Sequence, residues 1–268
     1  MEQFVFFPEK TPDCKVTAWL HENNSPDIAK RMFPAVVVCP GGGYAFTSDR
    51  EAEPIAEPYF AAGFNTFILR YSVHPEASGF KPLSQLAATI AKIRENAEAW
   101  HTDPRKIAVC GFSAGGHLAA SSGTLFNEPR FLEKFPNLGD IRPDAMILCY
   151  PVITADEFAH EGSIERVSGD PSHGEDYKWF DLSQRVDAQT PPAFLWHTAS
   201  DGAVPVENSL SFARALSKYK IPYEMHILPE GPHGTSVCTR QVGSENPYNA
   251  RWMGWSIQWL YKMFDYTL

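Results

Sequence analysis

Short runs of β-branched, aromatic and other apolar residues alternate along the chain with longer stretches whose apolar positions recur every three or four residues. Six of the short runs, at 33–39, 65–71, 107–111, 145–150, 193–198 and 223–228, predict strands. Most lack polar alternation, as expected of parallel strands covered on both faces. Between the second and third, Leu83, Leu86, Ala87, Ile90, Ile93, Ala97 and Trp100 keep helical spacing and predict one long amphipathic helix on the sheet. Ser48 followed by Glu51 has the spacing of a capping box, which would start a helix running to about Ala62 before Gly63 stops it. Pro54 fits the first turn of that helix, and Pro58 should bend or shorten it. Asp103 and Pro104 predict a turn before the strand at Ile107. Leu210, Ala213 and Leu216 mark a further helix, and Trp252, Trp255, Trp259, Leu260 and Met263 a last one. The tryptophan stripe reads as core, because a large aromatic at helical spacing mainly buries area. The alternation as a whole predicts an α/β fold: a mostly parallel central sheet with helices on both faces.

Residues 151–192 break the alternation, with charged and aromatic residues mixed and two histidines, His160 and His173. The segment reads as an excursion at the carboxyl ends of the strands, where open parallel sheets place their sites, and so as a candidate wall of a pocket. No Gly/Ser tract, charge block or low-complexity stretch offers a linker, so residues 1–268 are expected to form a single domain. At 44% apolar and 21% charged residues the chain can bury a large core. Its formal net charge of −9 repels polyanions, which argues against nucleic acid as a partner. Neither a signal peptide nor an apolar run near the ~20 residues of a membrane span is visible, so a cytoplasmic protein without membrane contact is expected. The five cysteines, Cys14, Cys39, Cys110, Cys149 and Cys238, are odd in number and widely spaced; buried thiols are expected, and no Cys/His spacing suggests zinc.

The chemistry-bearing signal is Gly111-Phe112-Ser113-Ala114-Gly115, a Gly-x-Ser-x-Gly pattern. The apolar run 107–110 leads into it and the small residues of 114–120 lead out as a helix, which is the strand, tight turn and helix of a nucleophile elbow. Glycines are needed where neighbouring backbone is pressed close to a strained serine. A serine hydroxyl is a weak nucleophile and needs a base, commonly a histidine held by a carboxylate. In such sheets acid and histidine follow the serine, each after a later strand. Asp201 lies just after the strand at 193–198, and His233 after the strand at 223–228. The competitors are weaker. His226 falls inside a strand, Glu207 starts a helix where the macrodipole explains a carboxylate, and Asp187 precedes its strand. His197 ends the strand before Asp201, where it could stand behind that residue, and His117 lies on the helix after the elbow; both read as structural. Pro40-Gly41-Gly42-Gly43-Tyr44 follows the strand at 33–39 and can turn its amides into the site. With the amide of Ala114, amides of this loop would form an oxyanion hole. A phosphate-binding loop is the rival reading; it lacks the terminal Lys-Ser/Thr pair and the spaced glycines of a dinucleotide site.

With these residues in hand the chain resembles the α/β-hydrolase superfamily, and within it the glycine-loop esterases related to hormone-sensitive lipase. It is most similar there to small bacterial acetyl esterases and acetylxylan esterases. The stretches carrying the resemblance are 39–44, 48–51, 69–72, 111–120, 201–207 and 231–234, spread over nearly the whole chain. The resemblance implies Ser113 as nucleophile, His233 as base, Asp201 as its orienter, and Gly42, Gly43 and Ala114 as amide donors. One departure is Pro40, where many glycine-loop esterases have a histidine that shapes the loop.

The leading expectation is a serine carboxylesterase removing acetyl or another short acyl group through an acyl-enzyme. The polar character of 151–192 favours a short acyl; an acetylated carbohydrate such as a xylo-oligosaccharide is implied by the resemblance alone. The chemistry requires neither metal nor organic cofactor. The same three residues could instead cleave an amide, as in a formamidase or small peptidase, and a hydrolase fold can be reused as a binding protein without turnover.

Overall fold

The computed structural model describes residues 1–8, 13–22 and 31–268. Two strands not expected from the sequence, β1 (Glu2–Phe6) and β2 (Lys15–Leu20), open an eight-stranded sheet. It continues with β3 (Phe33–Cys39), β4 (Asn65–Arg70), β5 (Thr102–Phe112), β6 (Ala145–Cys149), β7 (Ala193–Thr198) and β8 (Tyr223–Leu228), all formed at the predicted apolar runs. The spatial order is β1-β2-β4-β3-β5-β6-β7-β8. β2 pairs antiparallel with both neighbours, and every pair from β4 to β8 is parallel. Val16, Ala18 and Leu20 of β2 are buried in alternation with more exposed residues, the period-2 signature of a strand with one face on the core.

The helices are α1 (Glu53–Ala61), α2 (Lys81–Glu95), α3 (Ala114–Thr124), α4 (Pro129–Lys134), α5 (Glu161–Ser168), α6 (Glu175–Trp179), α7 (Glu207–Lys218) and α8 (Arg251–Phe264). Alternate residues of the strands feed two separate cores. Val37, Phe67, Val109 and Leu148 meet α2, α3 and α7 on one face. Val36, Ile68, Cys110 and Ile147 meet α1 and α8 on the other, where Trp252 and Trp259 are buried as expected. All five cysteines are buried. Among the described residues no helix is long and apolar enough to cross a membrane.

The structure corrects four local expectations. The Ser48–Glu51 capping box does not form: Ser48 leads into a 3-10 turn over Asp49–Glu51 without a side-chain cap bond, and α1 starts separately at Glu53. The turn at Asp103 and Pro104 lies inside β5. Three residues of β3, from Phe33 to Ala35, oppose six of β5, from Thr102 to Ile107, and Asp103 accepts from the Arg105 amide at 2.9 Å within that bulge. The regular helix expected to reach Trp100 ends at Glu95. Leu210 is 44% exposed; the inward face of α7 is Asn208, Ser209, Phe212, Ala213 and Leu216.

From β3 the chain moves outward to β4 on one side, and then returns to β5 on the other. That reversal opens a crevice at the carboxyl ends of β3 and β5. The glycine loop and Ser113 lie there.

Candidate active site

Ser113 stands between β5 and α3 with φ 53° and ψ −119°, a conformation costing on the order of 1–3 kcal/mol for a residue with a side chain. Its amide donates to the Cys149 carbonyl at 3.0 Å, and its carbonyl accepts from Val152 at 3.0 Å and His117 at 3.1 Å. The flanking glycines allow this closeness. A Cβ on Gly111 would lie 2.1 Å from the Gly115 carbonyl oxygen, and one on Gly115 would lie 2.2 Å from that of Cys39. The turn therefore demands glycine at both positions, for contact rather than flexibility.

The structure brings Ser113, His233 and Asp201 into one hydrogen-bonded series. His233 Nε2 is 2.8 Å from Ser113 Oγ, and His233 Nδ1 is 2.7 Å from Asp201 Oδ2. A carboxylate can only accept, so the ring proton sits on Nδ1 and Nε2 is left to accept the serine proton. Asp201 Oδ1 accepts from the amides of Ala203 and Val204, each at 2.9 Å. His197, buried at the end of β7, supplies a further donor: its Nε2 is 3.3 Å from Asp201 Oδ2 and 3.0 Å from the Val204 carbonyl, and its Nδ1 accepts from Ser209 Oγ at 2.8 Å. Burial alone would raise the Asp201 carboxyl. The hydrogen bonds from His197 and His233, the charge of His233 and the Val204 amide outweigh it and hold the group well below the carboxylate range.

The loop carrying His233 is fastened on several sides. Thr198 Oγ1 donates to the Gly231 carbonyl at 2.7 Å, Asn249 Nδ2 to that of Glu230 at 2.8 Å, and Arg50 Nη2 to that of Gly234. His226 lies elsewhere, within β8 and 2.9 Å from Glu224. Glu207 opens α7, and Asp187 caps a local turn through the Gln189 amide.

The glycine loop is held by residues that the sequence reading did not assign to it. Glu51, 3% exposed, accepts from the Gly41 amide at 2.9 Å through Oε2 and from the Tyr150 hydroxyl at 2.6 Å through Oε1. Tyr150 in turn accepts from the Ser236 amide at 2.9 Å, so one carboxylate links the glycine loop to the histidine loop. Burial pushes the Glu51 carboxyl up, against the opposing bonds from Tyr150 and Gly41 and the charges of His233 and Arg50. Tyr71 donates to the Pro40 carbonyl at 2.6 Å, and Tyr44 donates to His117 Nδ1 at 3.0 Å. His117 Nε2 donates to the Phe180 carbonyl at 3.1 Å; burial lowers this histidine to about 4 despite that bond. Gly41 is thus committed to Glu51. Among the described residues no backbone carbonyl takes the amides of Gly42 or Gly43, which have φ 129° and 63°. Ala114 begins α3, where the amide has no partner within the helix.

A cavity of about 370 Å³ opens on Ser113 and His233; Gly42, Gly43, Phe46 and Arg50 line it from one side and His160 and Arg166 from α5 and the residue before it. The excursion at 151–192 therefore does supply pocket wall, although His173 lies away from it, 2.9 Å from Glu165. No periodic pattern singled out His160 or Arg166. Glu51 shows in the sequence as a supposed cap and as part of the stretch 48–51 that carries the resemblance, and its partners ten and ninety-nine residues away do not show there. Among the described residues no group of three or more His, Cys, Asp or Glu side chains is arranged to hold a metal ion.

Comparison with known proteins places this geometry in context. The sequence profile of the BD-FAE family matches residues 24–216. Endo-1,4-beta-xylanase B of Butyrivibrio fibrisolvens is 36% identical over 232 residues, covering 85% of this chain and 35% of that protein. Acetylxylan esterase of Xylanibacter ruminicola is 29% identical over 215 residues, covering 76% of this chain and 42% of that one. The chain thus spans well under half the length of these two relatives. The crystal structure of an acetyl ester-xyloside bifunctional hydrolase from Caldicellulosiruptor lactoaceticus superposes with a TM-score of 0.82 at 31% identity, covering 99% of this chain and 97% of that one.

Proposed function

The chain belongs to the BD-FAE family, a family of carboxylic ester hydrolases with the α/β-hydrolase fold, and from that premise we propose a serine carboxylesterase that removes acetyl or other short acyl groups from carbohydrate. The observation that carries this reading is the continuous series Ser113 Oγ, His233 and Asp201, with contacts of 2.8 and 2.7 Å. In it, Ser113 Oγ attacks the ester carbonyl as His233 Nε2 takes the hydroxyl proton. The amides of Gly42, Gly43 and Ala114 receive the charge that develops on the carbonyl oxygen. The C–O bond to the alcohol then breaks, His233 returns its proton to the leaving oxygen, and Ser113 is left acylated. Water deprotonated by His233 attacks the acyl-enzyme, the acid departs, and the serine regains its proton. Asp201 keeps His233 in the required tautomer and stabilises the imidazolium that forms twice per cycle.

A short acyl group is supported by the cavity wall. Arg50, His160 and Arg166 stand within its otherwise mostly apolar lining, and an acyl chain long enough to reach them would strip water from these groups without replacing it. An acetylated sugar as the alcohol is supported by what the relatives are named for, an acetylxylan esterase and an acetyl ester-xyloside hydrolase. The test is hydrolysis of 4-nitrophenyl acetate, butyrate and octanoate, together with acetate release from acetylated xylo-oligosaccharides, by wild type and Ser113→Ala. The expected result is a steep fall with chain length, acetate release, and a loss of at least about 10³-fold in kcat for the variant. Turnover of aryl amides in place of esters, or activity surviving in Ser113→Ala, refutes the reading.

A further inference from the structure

The cavity over Ser113 has a neighbour. Arg166 lines both it and a second cavity of about 400 Å³, whose other walls include His74, Pro75 and Ser78 from the segment between β4 and α2 and Glu165 and Pro171 from α5 and the residues after it. Arg166 is fixed as the saddle between the two. Its Nη1 donates to the Gly162 carbonyl at 2.6 Å and to the Gly43 carbonyl at 3.1 Å. The second cavity is therefore reached from the reacting carbonyl across a guanidinium that also touches the glycine loop.

The wall of this second cavity selects among ligand chemistries. Donors and acceptors are mixed on it: Arg166 donates, Glu165 accepts, and His74 and Ser78 do either. Glu165 is already paired with His173 at 2.9 Å, so it is not a free charge seeking a cation, and its carboxylate opposes an anion. An alkyl chain would leave these polar groups unpaired. A neutral ring bearing several hydroxyls suits all of them, since each hydroxyl both donates and accepts and the ring's C–H face can lie on Pro75 or Pro171. The volume is within the range of small-molecule sites.

We propose that the second cavity is a subsite for the sugar residue next to the one that carries the scissile ester, so that the protein acts on oligosaccharide esters in preference to monosaccharide esters. This rests on the carbohydrate reading above. Its test compares kcat/KM for an acetylated xylose, an acetylated xylotetraose and 4-nitrophenyl acetate, in wild type, His74→Ala and Pro171→Trp. Wild type is expected to favour the tetraose over the monosaccharide by about tenfold or more, and each variant to lower the ratio of tetraose to aryl acetate turnover by about tenfold, through KM. Both ratios are taken within one preparation, so a variant that folds poorly still reports. Equal wild-type kcat/KM for the two sugars, or a ratio unmoved in both variants, overturns the subsite while leaving the sugar esterase standing. Aryl acetate turnover with neither sugar deacetylated overturns the carbohydrate reading, and the subsite with it.

Discussion

Replacing Glu51 by glutamine changes one atom and removes one of two acceptors in a buried link. Oε2 takes the Gly41 amide and Oε1 the Tyr150 hydroxyl, at 2.9 and 2.6 Å. A side-chain amide has one oxygen and one NH2, so whichever way the glutamine turns, one of those donors faces another donor. If its oxygen stays on Gly41, Tyr150 must accept from both the new NH2 and the Ser236 amide, and its own proton loses its partner. One unsatisfied buried donor costs about 1–3 kcal/mol. At roughly 2–4 °C per kcal/mol, Glu51→Gln should lower Tm measurably. Glu51→Ala should lower it further, since both donors are then orphaned beside a void.

The activity consequence comes from position, because Glu51 does not touch the reacting atoms in the mechanism above. Gly41 precedes the proposed donors Gly42 and Gly43, and Ser236 follows His233 by three residues, so a slack link loosens both partners of Ser113. Losing an oxyanion donor outright costs about 10²–10³ in kcat; a displaced one should cost less, on the order of tenfold to a hundredfold, with KM for 4-nitrophenyl acetate little changed. A pH signature separates this role from generic damage. Burial raises the Glu51 carboxyl above its ordinary 4.5, so the folded state favours its protonated form. The stability this confers is complete below about 4.5 and is lost as pH rises through the raised value. Thermal melts of Glu51→Gln across pH 4 to 8 should lack that part of the slope. Wild-type kcat and Tm in Glu51→Gln, with an unchanged pH dependence of melting, would refute the reasoning.

Three further outcomes follow from the same geometry. Asp201→Asn should cut kcat by about 10⁴-fold with the fold intact, since an amide at Oδ2 no longer demands a proton on His233 Nδ1; a loss below tenfold in steady-state kinetics would contradict that role. His117, lowered to about 4 by burial, is neutral in the folded state, so its contribution is complete above 6.5 and is lost as pH falls through about 4. His117→Gln should flatten the acid side of a Tm against pH curve, where up to about 3 kcal/mol is at stake. Gly115→Ala would put a methyl 2.2 and 2.4 Å from the Cys39 and Pro40 carbonyl oxygens, and should destabilise by about 3 kcal/mol or more in chemical denaturation.

Parts of the molecule readable from sequence are those whose cause is local or periodic. β3 to β7 announce themselves because both their faces are covered, leaving short, mostly apolar runs; β8, at the sheet edge with only Leu228 buried, shows instead through its aromatic and aliphatic residues. Gly111 and Gly115 are readable because contact dictates them, and chain order then singles out Asp201 and His233. β1 and β2 escape because Val16, Ala18 and Leu20 show only three turns of alternation on a strand half covered by core. The Asp103 turn and β5 are both present, one inside the other, since a bulge admits turn chemistry without ending the strand. Leu210 has helical spacing but faces outward, while Asn208 is buried on the inward face because its side chain bonds the Ile153 and Thr154 amides, at 2.8 and 3.0 Å.

Glu51 illustrates the deeper limit. Ser48 and Glu51 sit three residues apart, and locally that spacing fits a cap; the carboxylate instead turns inward to partners ten and ninety-nine residues away. Nothing near it in sequence specifies Gly41 and Tyr150 as its donors, since their approach is set by β3 and β6 flanking β5 in the sheet. The same holds for Ser113. Its strained backbone is held by Cys149 and Val152 from the neighbouring strand and loop, so the conformation is stable only once β5 and β6 have paired. The residues that would do chemistry are thus legible one at a time, whereas those that hold them in register belong to the tertiary structure, which is why substitutions at Glu51 and Gly115 test the assembled site more sharply than any motif does.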